Sequence, residues 1–391
     1  MAENGINIGL FGISLCSVNY GVTALGISQI VLLEKVSREL GIPFEYYIFS
    51  DEKAEDIERL KKYLPLDKLR LKYIIRFKTG LKGLRILKRD ILKCDLVIDL
   101  TYGDSFSDIY GFKGYLLYSI PKLISIKNRI PFILGPQTIG PFHGRTARNI
   151  ARYIIDSTNY IAVRDEISSD CCHEISGDCK VQIASDLAME LPFETGASWN
   201  SRNGKQNVGL NVSLLLWDQA DKFKFRFDYK EFTKELIEAL MKAGACVHLV
   251  AHVYDSIPQN EYWLMNELHK QYPDTIVAPQ FRNPIEAKNY LSQLDFFIGA
   301  RMHATIGAFS AGVPVVPISY SRKFEGLYSA IGYPYTINCK EVSMEQAVDM
   351  VMHMLRNVSF YKQEQMRAFA KAMEMNQNYF ELLKRVIRDL V

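Results

Sequence analysis

The chain lacks the glycine-rich signature GxGxxG of dinucleotide-binding domains, although its opening has the layout in which that signature occurs. An apolar stretch at 6–13 is followed by the small polar loop SLCSVNYG and then by a helical pattern over 22–40. Strand, loop and helix in this order predict the start of a doubly wound parallel sheet. Without the glycines, the loop gives no support for NAD binding.

The chain has only seven cysteines, and their spacing argues against a metal site. Cys171, Cys172, His173 and Cys179 form the one cluster, which contains no CxxC pair of the kind that binds zinc. The other cysteines lie mostly in or beside apolar runs, which is typical of small core residues. We expect no metal, and the cysteine usage favours a reducing cytoplasm.

Long apolar runs and a marked charge excess are also missing. No stretch is long enough to cross a bilayer, and residues 1–5 lack the basic start of a secretory signal, so we expect a cytoplasmic protein. The net charge of +3 gives no reason to expect nucleic acid as a partner. One segment, 61–93, is strongly basic. It is either a solvated helix face or a surface for a diphosphate-bearing substrate or an anionic membrane, which leaves peripheral contact with the inner face of the membrane open.

The order of the patterns predicts two α/β domains. Strand-like apolar runs alternate with helical periodicity in the first half; a segment rich in Gly, Ser and Asn then intervenes, and the alternation starts again. We predict a Rossmann-like doubly wound domain at 1–195, a linker at 196–206 and a second Rossmann-like domain at 207–391. Residues 344–391 are almost wholly helical in pattern, and we expect this long C-terminal helical segment to belong to the second domain.

The most informative stretch is 295–321, DFFIGARMHATIGAFSAGVPVVPISYS. It predicts a buried strand at 295–300, a helix of small residues at 304–311 and then a second strand. Arg301 and His303 occupy the turn between the first strand and the helix. Ligands of open parallel sheets bind at such turns, over helix N-termini. Arg301 can therefore bind an anion, and His303 can also move a proton; the alternative is a salt-bridged surface turn.

Other polar residues follow predicted strands in the first half. Asp104 comes after the strand at 95–100, where it could act as a base, orient a sugar hydroxyl or cap a helix. Arg164 follows the strand at 160–163. It offers a second cation for a ligand with two acidic groups, unless it forms a local ion pair with Asp165.

Segment 222–229, KFKFRFDY, alternates basic and aromatic residues. As a strand it would have one aromatic face and one mostly basic face. It is either a packed edge strand or a loop that faces the acceptor or a membrane.

Several motifs, in order along nearly the whole chain, resemble the polysaccharide pyruvyl transferase family. They are Gly103-Asp104-Ser105-Phe106, the Gly-Pro-Gln-Thr-Ile-Gly-Pro loop at 135–141, Val163-Arg164-Asp165 with Ser168, Ser185-Asp186, Val208-Gly209-Leu210-Asn211-Val212-Ser213, and Arg301-Met302-His303 with Gly312-Val313-Pro314. The last motif is the most specific. The two α/β halves are similar to those of GT-B glycosyltransferases, so the expected fold is GT-B-like, with the acceptor side at 1–195 and the phosphoenolpyruvate side at 207–391.

The resemblance implies transfer of the pyruvyl group of phosphoenolpyruvate onto a sugar, which forms a pyruvate ketal. The sugar would belong to a surface or extracellular polysaccharide or to its lipid-linked precursor. Phosphoenolpyruvate would be bound by Arg164, Arg301, Lys323 and Gln137. His303 is the candidate general acid or phosphate-binding partner, and Asp104 is the candidate for activating a sugar hydroxyl. No organic cofactor is expected, because phosphoenolpyruvate is the donor substrate.

Two other interpretations stay open. A GT-B glycosyltransferase with a nucleotide-sugar donor would use Arg301 and Lys323 on a diphosphate. A non-enzymatic sugar-binding or assembly protein would neither bind nor consume phosphoenolpyruvate.

Overall fold

The computed structural model describes residues 5–72, 74, 80–195, 204–254 and 260–391, apart from the side chains of residues 220, 221, 322 and 323. The chain forms two compact units. The first contains Met1–Cys16, Val22–Leu187 and Ala372–Val391, and the second contains Ser17–Gly21 and Ala188–Lys371. Each unit has its own parallel sheet with helices, as the α/β prediction requires.

The sheet of the first unit has seven strands within the described residues, and all neighbouring strands are parallel. They are β1 (Ile6–Phe11), β2 (Phe44–Phe49), β3 (Leu69–Lys72), β4 (Leu96–Asp99), β5 (Phe132–Gln137), β6 (Tyr160–Val163) and β7 (Val181–Ile183). The spatial order is β3-β2-β1-β4-β5-β6-β7. The direction of winding reverses between β1 and β4, so this pair is the topological switch point of the sheet.

Helices make the crossovers that parallel strands need. They are α1 (Tyr20–Leu40), α2 (Ala54–Ile57), α3 (Gly80–Ile91), α4 (Phe112–Lys127), α5 (Arg145–Ser157) and α6 (Glu166–Ser176). In α5 the buried residues Ala147, Ala151, Ile154 and Ile155 recur at helical spacing. That face packs into the hydrophobic core together with side chains of β4, β5 and β6.

The second unit has a six-stranded sheet in the described part of the chain, and it too is parallel throughout. Its strands are β8 (Asn207–Asn211), β9 (Cys246–Leu249), β10 (Ile276–Val277), β11 (Phe296–Gly299), β12 (Val315–Ser319) and β13 (Ile337–Asn338). Their order is β10-β9-β8-β11-β12-β13, which puts the switch point between β8 and β11. Every residue of β8, β11 and β12 is buried, as expected for central strands covered on both faces.

The helices of the second unit are α7 (Leu214–Gln219), α8 (Tyr229–Lys242), α9 (Glu261–Gln271), α10 (Pro284–Leu291), α11 (Met302–Ser310), α12 (Arg322–Ala330) and α13 (Met344–Arg356). Side-chain caps fix where several of them begin. Asp228, Asn260, Asn283 and Ser343 each accept hydrogen bonds from backbone N–H groups in the first turn of the following helix.

The long C-terminal helix α14 (Val358–Arg388) differs from the prediction. Its last part, from Ala372 onward, groups with the first unit rather than with the second. The reason is a set of contacts in the first unit: Asn376 Oδ1 accepts from the Ser185 N–H at 2.9 Å, and the buried Tyr379 hydroxyl donates to Gln29 at 3.0 Å. These partners are distant in sequence, and helical periodicity cannot reveal them.

Two further predictions meet the structure only in part. The predicted linker falls largely on residues 196–203, which lie outside the described part. Segment 222–229 is not a strand. A 3₁₀ turn (Ala220–Phe223) leads through irregular chain to α8, and the phenylalanines at 223, 225 and 227 pack against the core of the second unit.

Many basic side chains of segment 61–93 are neutralised by ion pairs. Lys68 lies 2.9 Å from Glu34, Arg70 lies 2.8 Å from Glu45, and Lys93 lies 3.0 Å from Asp90. For these three, the structure favours the interpretation as a solvated face. Among the described helices, none is both long and apolar enough to cross a bilayer.

The docking of α14 on the first unit predicts that Asn376→Ala destabilises the protein by about 1–3 kcal/mol, because the buried Ser185 N–H loses its acceptor. Denaturant unfolding measures this change. The control is Gln377→Ala on the neighbouring, exposed position of the same helix, which should cost no more than about 0.5 kcal/mol. Equal losses in the two variants would contradict this assignment of the tail.

Candidate functional site

The turn with Arg301 and His303, for which the sequence predicts ligand binding, lies at the switch point of the second unit. Ligands of doubly wound sheets bind outside the carboxyl ends of the strands at this point. Arg301 and His303 come directly after β11, and His303 is the second residue of α11. The residues of the turn therefore lie at the edge of the sheet where chemistry is expected.

Arg301 is held from two sides. Its backbone N–H donates to Asn211 Oδ1 at 3.0 Å, and its Nε donates to Glu261 Oε1 at 2.5 Å. Burial opposes the charge of the guanidinium, but the Glu261 carboxylate outweighs it and raises the pKa of Arg301. The salt bridge is mostly buried, with the Arg301 side chain 19% exposed, so this is not a solvated surface turn.

Glu261, which the sequence analysis missed, joins three strand ends. It is the first residue of α9 and is fully buried. Its Oε2 accepts from the N–H groups of His252 and Val253 at 3.0 and 3.1 Å, and from Asn211 Nδ2 at 3.3 Å. Together with the bond from Arg301, these bonds satisfy the buried carboxylate. An acidic residue in a first helical turn is common, so nothing in the local sequence distinguishes Glu261.

His303 packs tightly against the backbone of Gly21. A Cβ atom added at Gly21 would lie 2.1 Å from His303 Nδ1, closer than any real contact. Both residues belong to the second unit, because the short segment Ser17–Gly21 groups with it. Only a residue without a side chain at position 21 lets the imidazole keep this position.

His252 is a second imidazole at this edge, and the sequence analysis did not select it. The side chain is buried, with the Tyr20 ring edge-on at 5.7 Å. Within the described residues, neither ring nitrogen has a hydrogen-bond partner. Burial, together with smaller electrostatic contributions from His303 and Arg301, lowers the pKa of His252 to about 3. The neutral ring therefore lies among groups that carry or can carry positive charge.

Lys323, the other candidate of the second unit, follows β12 in the first turn of α12. Its side chain lies outside the described part of the chain. Its predicted role in binding phosphoenolpyruvate stays a prediction.

In the first unit, Arg164 is engaged in a buried ion pair. Its Nη1 donates to Asp186 Oδ2 at 2.6 Å and its Nε donates to Thr138 Oγ1 at 2.8 Å. The residue is 2% exposed. The partner is not Asp165, whose side chain instead caps α6 by accepting from the Ser168 N–H. Arg164 thus ties the ends of β5 and β6 to the segment after β7.

Gln137 and Asp104 lie at the carboxyl ends of the neighbouring strands β5 and β4. Gln137 is buried, and its Nε2 donates to the backbone oxygens of Asp99 and Gly135 at 2.8 and 3.2 Å. Asp104 is partly exposed and its Oδ2 accepts from the Tyr110 hydroxyl at 2.9 Å. Asp104 ends a 3₁₀ turn and does not cap the start of a helix. The structure therefore brings Arg301 and His303 together in one unit, and Arg164, Gln137 and Asp104 along one sheet edge of the other.

The contact between Gly21 and His303 predicts that Gly21→Ala displaces the imidazole. We expect a shift of the His303 Hε1 resonance in nuclear magnetic resonance spectra, assigned by comparison with His303→Gln. Gly114→Ala is the matched control, since a Cβ there meets no described atom within 4 Å. An unchanged His303 resonance in Gly21→Ala would show that the ring does not lie against this glycine.

The low pKa of His252 predicts a loss of stability in acid. Between about pH 6.5 and pH 3 the unfolded chain binds a proton at His252 that the folded chain does not, so stability present at pH 7 falls with pH. The loss by pH 5 is about 2 kcal/mol. His252→Leu should remove this part of the pH dependence of chemical unfolding, whereas His353→Gln, at an exposed position, should leave it. Parallel pH profiles for His252→Leu and the wild type would contradict the assignment.

Solved structures with this fold cover nearly the whole chain. A putative UDP-N-acetylglucosamine 2-epimerase from Listeria monocytogenes has a TM-score of 0.62 at 10% identity, with 96% of this chain and 95% of that chain covered. The UDP-GlcNAc 2-epimerase from Neisseria meningitidis, bound to UDP-GlcNAc, has a TM-score of 0.59 at 11% identity, with 97% and 99% covered. The pneumococcal O-GlcNAc transferase in complex with UDP and GlcNAc has a TM-score of 0.60 at 10% identity, with 100% and 99% covered. At such low sequence identity, the structural similarity shows the fold alone. It confirms the predicted GT-B-like class with two Rossmann-like doubly wound domains.

A search of curated proteins found no match to the sequence. The family model described as polysaccharide pyruvyl transferase matches residues 29–322. That span contains most of the first unit and the whole β11–α11–β12 element with Arg301 and His303. The match covers well over half of the sequence and agrees with the motifs at the strand ends, and the chain belongs to the polysaccharide pyruvyl transferase family.

Proposed function

We propose that the chain transfers the pyruvyl group of phosphoenolpyruvate onto a sugar of a surface or extracellular polysaccharide, or of its lipid-linked precursor, and forms a pyruvate ketal. Family membership supports the transferase class. The observation that carries the choice of donor is the pairing of Arg301 with His303 at the start of α11, at the switch point of the second unit.

Three features favour a small dianion at this turn. The Arg301 guanidinium is permanently positive and held by Glu261, so it loses little freedom when it binds a ligand. The nine-residue α11 directs its N-terminal N–H groups and the positive end of its dipole toward the same place. The buried His252 adds polar ring nitrogens that bind no described protein group. Phosphoenolpyruvate has a phosphate and a carboxylate, and each needs such partners.

The chemistry requires one proton to be added to carbon and one to reach phosphate. Protonation of the phosphoenolpyruvate methylene group develops positive charge on the adjacent carbon, and a sugar hydroxyl attacks there. The bond from that carbon to the phosphate oxygen then breaks, and phosphate leaves with the electron pair. A second hydroxyl closes the ketal. The two hydroxyl protons balance the new methyl C–H bond and the phosphate, so the reaction needs no oxidant or reductant.

In this proposal His303 supplies the proton to the methylene carbon or holds the phosphate. Arg301 binds the donor, and Lys323 follows the next strand of the same sheet, at a position suited to a further cation. Asp104 is assigned to the sugar hydroxyl, because its carboxylate is partly exposed at the end of β4. For Arg164 and Gln137 the buried hydrogen bonds favour a positioning role that shapes the loops of the first unit.

The proposal includes a cytoplasmic location and phosphoenolpyruvate as the donor, with neither a metal nor an organic cofactor. The location is supported by the cysteines, since no disulfide joins any of the seven, all of which lie in the described part of the chain. A lipid-linked acceptor would bring the protein to the inner face of the membrane. The exposed basic side chains of segment 61–93 would suit such an anionic surface.

The proposal predicts that His303→Gln lowers phosphoenolpyruvate-dependent phosphate release by about 10²-fold or more, because the proton donor is lost. Arg301→Lys should weaken phosphoenolpyruvate binding about tenfold or more, since lysine keeps the charge but loses the planar fork. Phosphate release is measured with a panel of methyl glycosides as acceptors. The product should have the mass of the glycoside plus pyruvic acid minus one water.

Arg301→Ala is a poor test alone, because it leaves the buried Glu261 charge unpaired at a cost of about 3–5 kcal/mol. The double variant Arg301→Met/Glu261→Gln removes both charges and should fold without binding the donor. Full turnover by His303→Gln would end its assignment as the acid. If UDP-sugars raise the melting temperature and phosphoenolpyruvate does not, a nucleotide-sugar glycosyltransferase replaces this proposal; if neither has an effect, a non-enzymatic sugar-binding protein does.

A further inference from the structure

Helix α3 of the first unit has two faces of different composition, and the fold uses only one of them. The buried residues of this helix are Gly83, Leu87, Asp90 and Ile91. The side chains of Leu87 and Ile91 belong to the hydrophobic core of the unit, and that of Leu84 packs against it. The inward face therefore fixes the helix on the unit, and the opposite face is left to solvent.

The opposite face, which we call the outer face of α3, combines cations with leucines. Its exposed side chains are Leu81, Lys82, Arg85, Lys88, Arg89 and, directly after the last helical residue, Leu92. The two leucines are separated by about three helical turns, so they lie on one line along the helix. Arg85 and Lys88 lie between them on the same line. Apolar and positively charged groups thus share one continuous strip of surface.

The protein does not neutralise most of the cations of the outer face. Elsewhere in segment 61–93, ion pairs neutralise several basic side chains, as described above. Lys82, Arg85 and Lys88 form no ion pair with any residue that the structure describes. The single acidic residue of α3, Asp90, is buried and lies 3.2 Å from Arg89. The outer face therefore presents an excess of positive charge.

The two leucines distinguish this face from an ordinary solvated helix surface. Leu81 is 75% exposed, more than any other large apolar side chain in the described part of the chain, and Leu92 is 51% exposed. A face that only keeps a protein in solution needs charge and no exposed leucines. Single apolar side chains are normal on a surface, but here two of them lie in line with unpaired cations. Side chains that enter a bilayer interface have this composition, with leucine in the acyl boundary and Lys and Arg at the phosphates.

We propose that the outer face of α3 docks the protein on an anionic lipid bilayer, with Leu81 and Leu92 inserted between headgroups and the cations against lipid phosphates. Charge complementarity favours an anionic surface. The leucines favour a bilayer over a nucleic acid, because only the bilayer offers an apolar phase that receives them. Since the inward face of α3 stays packed on the core, only the outer side chains enter the interface. The binding is therefore shallow, reversible and weakened by salt.

The inference rests on the proposed function only for the reason to bind, since a lipid-linked acceptor would be presented at the same membrane surface. The docking itself needs neither the donor nor the acceptor. It can therefore be measured without either of them.

Flotation of the full chain with lipid vesicles tests the charges of the outer face. Vesicles of equal parts phosphatidylglycerol and phosphatidylcholine should bind the protein about tenfold or more tightly than vesicles of phosphatidylcholine alone. Arg85→Glu/Lys88→Glu should weaken binding to the anionic vesicles about thirtyfold or more. The control Lys362→Glu/Lys371→Glu, at exposed positions of α14, changes the net charge equally and should bind like the wild type.

Leu81→Ser/Leu92→Ser tests the insertion, because it keeps every charge. We expect binding to the anionic vesicles to weaken about tenfold. Met366→Ser is the matched control, at a side chain that is 60% exposed on α14, and should have no effect. Circular dichroism checks that each variant is folded. An equal loss in the charge control, or full binding by the leucine variant, would overturn the proposal, and so would binding to polyuridylic acid without binding to vesicles.

Phosphate release from phosphoenolpyruvate with soluble methyl glycosides is measured on the same samples, so the two proposals can fail separately. The variants on α3 should keep the wild-type turnover, because this helix contributes no residue to the site assigned above. Vesicle binding through the outer face by a protein that does not consume phosphoenolpyruvate would keep the docking surface and overturn the donor. Turnover without vesicle binding would overturn the docking surface and keep the transferase proposal.

Discussion

The second unit depends on one buried carboxylate. Glu261 receives hydrogen bonds from the end of β8, from the backbone after β9 and from the turn after β11. One carboxylate thereby connects three strand ends. An unpaired charge at this depth would be very costly, so the arrangement forms as a whole or not at all. Arg301 is thereby positioned before any ligand arrives, which is what a preorganised anion site requires.

The first unit also has a buried charged group that connects strand ends, but there the group is a cation instead of a carboxylate. At its switch point the central group is the ammonium of Lys122, which joins the end of β4 to α4. A second buried pair, between Arg164 and Asp186, joins the ends of β6 and β7. Parallel strands are not joined by hairpins, so the loops at their carboxyl ends are not paired with each other by the chain connection. In this unit, buried ion pairs connect those loops. Rigid loops at both switch points are thus a common property of the two units.

Much of the fold and part of the site could be predicted, because the informative patterns were local. The strand, turn and helix around Arg301 and His303 follow from a few adjacent residues. Glu261 could not be found, since it meets Arg301 across 40 residues and has no distinctive neighbours. The burial of Arg164 depends on Asp186, 22 residues away in the sequence, whereas the local pattern offers only the neighbouring Asp165 as an alternative partner.

Segment 222–229 shows a different limit. Its alternation of basic and aromatic residues is real, but the phenylalanines pack on the core from an irregular stretch. Alternation alone therefore did not determine a strand.

The sharing of α14 between the units has a consequence for synthesis on the ribosome. The first unit contains Asn376 and Tyr379 as buried residues, so its interior is incomplete until the part of α14 from Ala372 onward has been synthesised. The N-terminal residues of the first unit therefore cannot complete their hydrophobic core while the rest of the polypeptide is being synthesised. A stop codon before the codon for Ala372 would for the same reason damage the portion that was synthesised first.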